Sequence, residues 1–187
     1  FDFHWLHTPE ELMQALNTYL PVDVAVRSVS LVQSGFHPRY QAVSRGYRYC
    51  IFCDAVRNPL RERFAWRVWP VVDISLLEQA ACFLRGKHNF SAFGTPPRAK
   101  GSTVRSVFTA LWRSNGPELV FEIVADAFLY HMVRRMVSLQ VEIGQGKKNP
   151  EVIQEYLKGQ ITSPVQGLAP PQGLVLFKVN YPDGEKE

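Results

Sequence analysis

Apolar residues recur at Leu12, Leu16 and Leu20, the i, i+4, i+8 spacing of one helix face. Thr8-Pro9-Glu10-Glu11 supplies an N-cap, a proline at the first helical position and a glutamate at the third, so a helix is predicted from about residue 9 until Pro21 stops it. Residues 24–32 are rich in β-branched side chains and predict a strand. After a turn at Ser34-Gly35, residues 40–53 predict a longer strand and residues 64–68 a short one. A second helix is expected from Asp73 or Ser75 to Arg85, with Ser75 and Glu78 as a capping box and Gly86 as its stop. Residues 93–102 hold Gly, Pro-Pro, Arg98 and Lys100 and read as a basic loop. Residues 104–112 and 118–126 predict a hairpin across Ser114-Asn115-Gly116-Pro117. A third helix is expected over 130–143 and a fourth from Asn149-Pro150 to about Gly159. A last strand is expected over 174–181, with Val175, Phe177, Val179 and Tyr181 on one side. Hairpins mixed with crossing helices define an α+β class, an antiparallel sheet with helices on one face.

Composition narrows the function classes. The chain has 187 residues, 46% hydrophobic and 20% charged, which suits one domain or two small ones with a real core. No apolar run approaches the ~20 residues that span a bilayer, and the first residues lack the basic and apolar regions of a signal peptide. The three cysteines, Cys50, Cys53 and Cys82, are few and odd in number, which points to a reducing, cytoplasmic setting. Cys50-Ile51-Phe52-Cys53 has a metal-like spacing, but a structural zinc needs four ligands and no second pair is suitably placed, so no metal is expected and the thiols read as buried. A net charge of +4 hides an uneven distribution: residues 39–113 carry 13 Lys/Arg against four acids, and the remainder is net acidic. Arginines outnumber lysines 14 to 7, and the planar guanidinium fork suits phosphate oxygens and stacks on bases. A Gly-rich phosphate loop, a zincin helix motif and a Gly-x-Ser-x-Gly elbow are all missing, which removes nucleotide-dependent transfer, zinc proteolysis and α/β-hydrolase chemistry as first choices.

Three segments could carry chemistry. Phe36-His37-Pro38-Arg39-Tyr40 places aromatics beside cations, a pattern that suits an unstacked RNA base and its phosphate, or else a loop whose rings enter the core. In Arg45-Gly46-Tyr47-Arg48-Tyr49-Cys50-Ile51-Phe52, Tyr47 and Tyr49 share one strand face and Arg48 points away. That run approaches an RRM strand signature but has Arg48 where Gly or Ala is required, and a tyrosine pair packed under a helix is the other reading. The third is 128–137, Phe-Leu-Tyr-His-Met-Val-Arg-Arg-Met-Val. It is apolar on nearly all sides of the helix it predicts and is therefore buried. Arg134 shares a sector with Val137 and Val141. A buried guanidinium must pair with a carboxylate or bind an anion. Arg135 lies about 100° further round and can reach solvent.

Taken in chain order, Phe36-His37-x-Arg39-Tyr40-x-Ala42, Tyr47-Arg48-Tyr49, Asn89-Phe90-Ser91-x-Phe93, Val104-Arg105-Ser106-Val107, Ala127-Phe128-x-x-His131-Met132-Val133-Arg134 and Gly173-Leu174 before Asn180-Tyr181-Pro182 resemble the tRNA pseudouridine synthase A family. The resemblance implies a pseudouridine synthase fold with ferredoxin-like halves, no cofactor, a homodimer, and isomerisation of uridine in the anticodon stem-loop of tRNA. By that resemblance Tyr47 contacts the target uracil, Leu174 packs against the flipped base, and Arg134 pairs with the catalytic aspartate. RNA contacts fall on Phe36, His37, Arg39 and Tyr40, with Arg98 and Lys100 as a looser match. It further implies that 1–35 is a remnant of an N-terminal half, 36–182 a catalytic and RNA-binding domain, and 183–187 a tail. Two departures stand out. Pro38 replaces the family's usual alanine. The family's Gly-Arg-Thr-Asp run has no counterpart around Asp2, Asp23, Asp54, Asp73, Asp126 or Asp183, while Phe1-Asp2-Phe3 matches the stretch that follows it. The expectation is a synthase lacking its N-terminal portion and nucleophilic aspartate. The alternative is a non-catalytic RNA-binding module, either RRM-like or a synthase remnant.

Overall fold

The computed structural model describes residues 5–182; the expectations for Phe1-Asp2-Phe3 and for the 183–187 tail lie outside the described residues. The chain divides into two compact units, one reaching to Gln41 and taking in Tyr181, the other spanning Ala42–Asn180.

In the first unit, helix α1 runs over Pro9–Tyr19 with the capping box its sequence predicts. The Glu11 amide donates to Thr8 Oγ1 at 3.2 Å, and the Thr8 amide donates back to Glu11 Oε2 at 2.8 Å. None of its residues is buried. The predicted strand over 24–32 does not form. A strand needs a neighbour for its amides and carbonyls. Here the described structure gives Val26 only a side chain: Asn17 Oδ1 accepts from its amide at 2.7 Å, and Asn17 Nδ2 donates to its carbonyl at 2.9 Å.

The second unit is built on a six-stranded sheet. Strand β1 (Ser44–Cys53) lies at its centre, β2 (Trp66–Val68) pairs with it in parallel, and helix α2 (Ile74–Phe83) follows. Then come β3 (Gly86–Asn89), β4 (Val104–Asn115) and β5 (Glu118–Ala125), helices α3 (Met132–Gly144) and α4 (Val152–Leu157), and strand β6 (Leu174–Asn180). The path is β2-β1-β5-β4-β3, with β6 on β1, and every pairing except β1–β2 is antiparallel. Gly116, at φ 60, turns the β4–β5 hairpin where the sequence placed it. Strand β3 escaped the sequence reading, because Gly-Lys-His-Asn has no alternation and is only four residues long. Helix α2 is capped by Asp73, whose carboxylate accepts from the Ser75 amide at 2.8 Å and the Ser75 hydroxyl at 2.6 Å; Ser75 is a partner of the cap rather than the cap.

Alternation on β1 sends Tyr49 and Ile51 into one core with Phe121 and Ile123 of β5, Leu77 and Leu84 of α2, and Met136 and Val137 of α3. Each large apolar side chain so buried contributes about 1.5–3 kcal/mol. The opposite face carries ions: Arg48 Nε donates to Glu122 Oε1 at 2.8 Å, and Arg113 lies 3.5 Å from Glu122 Oε2. Tyr49 is fully buried, so the two tyrosines do not form the open aromatic platform of an RRM, and that alternative falls. Cys50 and Cys53 are half-buried and Cys82 is exposed, all free, which corrects the expectation of buried thiols.

Gly173 enters β6 with no room for a side chain: a Cβ there would lie 2.8 Å from the Cys50 carbonyl oxygen and 2.8 Å from the Tyr49 ring. Gly173→Ala is therefore expected to lower stability by about 1–3 kcal/mol, read as a lower urea midpoint at unchanged slope. An unchanged midpoint would contradict the tight packing.

Candidate functional site

A cleft of about 380 Å³ opens between β1, the segment leading into α3, and the start of β6. Tyr47, Arg134 and Leu174 all line it. Tyr47 follows a register shift between Gly46 and Tyr47 in the β1–β6 ladder, and its ring meets Phe128 edge-on at 4.9 Å. Gly46 leaves room there for the Phe177 ring, which a Cβ would approach to 2.9 Å.

Arg134 sits in the first turn of α3, a helix that is buried except at Arg134, Arg135 and Glu142. Its Nε donates to the Ala169 carbonyl at 2.6 Å, and the Ala169 amide donates to the Arg134 carbonyl at 3.2 Å. Among the described residues no carboxylate pairs with Arg134. Asp126 accepts from the Ser106 and Ala127 amides at 3.0 and 2.6 Å, and Glu142 pairs with Lys148 at 2.8 Å. Of the two readings of this guanidinium, an internal ion pair and an anion partner in the cleft, the first does not form among the described residues.

Leu174 is set by the chain before it. The Tyr49 hydroxyl donates to the Pro170 carbonyl at 2.6 Å, and Leu174 pairs in register with Tyr49. Burial pushes the Tyr49 phenol well above its ordinary pKa, so it remains a neutral donor. The Val165 amide donates to the Ala92 carbonyl at 2.8 Å, so the strap between α4 and β6 is held at three points.

The other predicted site residues of this unit do not line the cleft. Arg98 and Lys100 are exposed on the segment before β4 and do not line it. Phe36, His37, Arg39 and Tyr40 belong to the first unit. There Phe36 packs edge-on against Tyr181, His37 lies over Tyr40, and His37 Nδ1 accepts from the Arg39 amide at 3.2 Å. Phe128, Tyr130, His131 and Pro171 also line the cleft, and the sequence reading gave them no role. The missed signal was His131, a residue type enriched in left-handed conformations. At φ 65 it delays α3 to Met132, two residues after its predicted start, and turns 128–131 toward the cleft. Among the described residues no group of three or more His, Cys, Asp or Glu could hold a metal ion, and no helix is long and apolar enough to cross a membrane.

This α+β sheet with a cleft holding an acid-free arginine has relatives. The sequence profile described as tRNA pseudouridine synthase matches residues 80–182. A protein named tRNA pseudouridine synthase A from Geobacter sp. (strain M21) is 37% identical over 171 residues, covering 91% of this chain and 69% of its own. One of the same name from Syntrophotalea carbinolica is 38% identical over 179 residues, covering 93% and 71%, and one from Moorella thermoacetica is 38% identical over 170 residues, covering 89% and 68%. The chain belongs to the tRNA pseudouridine synthase family.

His131 provides a local check on the cleft. Burial first, then the charges of Arg134 and Arg135, hold its imidazole below the ordinary histidine range. The folded chain therefore resists protonation there, and this contribution to stability is lost as pH falls from the unfolded histidine pKa through the depressed folded one. In NMR titration His131 is expected to titrate below a denatured-state reference and to move part of the way back in Arg134→Met. A normal titration would contradict the geometry.

Proposed function

We propose that this chain handles the base in a tRNA pseudouridine synthase that isomerises uridine in the anticodon stem-loop. The supporting observation is the convergence of Tyr47, Leu174 and an acid-free Arg134 on one cleft. In the reaction the N-glycosidic bond breaks, the uracil turns, and C5 joins the sugar; C5 gives up a proton and N1 gains one, so no cofactor is consumed. An enzyme that works on a stacked base must extrude it and hold it. Tyr47 offers a ring to the uracil, and Leu174 offers an apolar wall. Arg134 holds a carboxylate ionised beside the sugar, because a nearby cation favours the charged form. The basic centre of the chain, with Arg39, Arg98 and Lys100, attracts phosphates, and Phe36, His37 and Tyr40 add stacking surface. The protein works in the cytoplasm as a homodimer in this reading.

The test is pseudouridine formation in transfer RNA, mapped by carbodiimide. The product of the whole reading frame that encodes this chain is expected to form pseudouridine. The 187-residue chain alone, which contains no Gly-Arg-Thr-Asp run, is expected to bind tRNA in a salt-sensitive way and form none. Arg134→Met in the whole product is expected to lower kcat by about 100-fold or more, the scale of losing one charge-stabilising group. Full activity in Arg134→Met would refute the assignment. Failure of the whole product to modify any tRNA would favour a non-catalytic RNA-binding role.

A further inference from the structure

Phe128, Tyr130 and His131 line this cleft without a part in the proposed chemistry. Tyr130 lines the cleft mouth yet is 66% exposed. Its ring stacks on that of His131 with centroids 3.7 Å apart and planes 29° apart. Its backbone is fixed: the Tyr130 amide donates to the Thr95 carbonyl at 2.9 Å, forming an isolated bridge. Gly94 allows this approach, since a Cβ there would lie 2.6 Å from the Tyr130 carbonyl oxygen. The left-handed backbone of His131 then lays the imidazole beneath the phenol. The imidazole is held toward its neutral form, so it backs the phenol without placing a charge there. The result is a preorganised, sequence-tolerant surface beside the guanidinium of Arg134.

We propose that Tyr130, backed by His131, is a stacking platform for the unstacked nucleobase adjacent to the target uridine. When the target enters the cleft its neighbour loses a stacking partner, and Tyr130 replaces it at the mouth. The proposal rests on the tRNA reading, and its test separates the two. Anticodon stem-loop RNAs carry 2-aminopurine on either side of a loop uridine, and fluorescence and affinity are measured with the chain and with Tyr130→Phe and Tyr130→Leu. Leu keeps bulk without a π face; because the site is exposed, its melting temperature should match that of the unaltered chain. Expected is quenching by the unaltered chain and by Tyr130→Phe, lost in Tyr130→Leu, which also binds roughly tenfold more weakly. Equal quenching and affinity in Tyr130→Leu would overturn the platform and leave the tRNA reading standing. No RNA binding by the unaltered chain would overturn both.

Discussion

Two adjacent carbonyls, those of Ala169 and Pro170, carry the architecture of the cleft. One accepts from Arg134 on α3 and the other from Tyr49 on β1, each at 2.6 Å. Left unpaired when buried, each would cost about 1–3 kcal/mol. Paired, they lock the strap to two elements that share the central core. The strap then delivers Gly173 against the β1 backbone, where only hydrogen fits, and Leu174 into register opposite Tyr49. The same bond commits the Nε of Arg134 and so orients its planar fork. A lysine could hold the charge but could not hold both the strap and the direction.

From that constraint the chemistry follows. A half-buried cation without an internal carboxylate is costly unless something anionic completes it. In the proposed function that something is the nucleophilic carboxylate, which the cation keeps ionised. Ring edges and apolar walls around it from Tyr47, Phe128 and Leu174 suit a flat pyrimidine. The ion pairs on the outer sheet face, such as Arg48 with Glu122, are partly exposed and contribute little to stability, so the core and the strap hold the unit together.

What was legible in the sequence was local. Thr8 to Glu11 spelled a capping box, Gly116 marked a hairpin, and the apolar character of α3 on nearly all sides announced a buried helix with one troublesome arginine. Residues 24–32 read as a strand because propensity records a preference for pairing, not the presence of a partner. The start of α3 was misread because a helix-like apolar period continues through His131, where the backbone is left-handed. The strap was illegible for a different reason. Tyr49 and Pro170 are 121 residues apart, and no spacing rule connects a phenol to a carbonyl across that distance. Family resemblance supplied Tyr47, Arg134 and Leu174 together; only coordinates explain what holds them in one place.

In the proposed function a uracil is held among Tyr47, the 128–134 segment and Leu174. Photo-crosslinking tests it most directly, with 4-thiouridine at each loop uridine of an anticodon stem-loop RNA and the attachment sites mapped by peptide mass spectrometry. One position is expected to crosslink to Tyr47 or to residues 128–134 and 171–174, with the adduct competed away by unlabelled stem-loop. Specific, competed crosslinks that all fall outside those segments would contradict it.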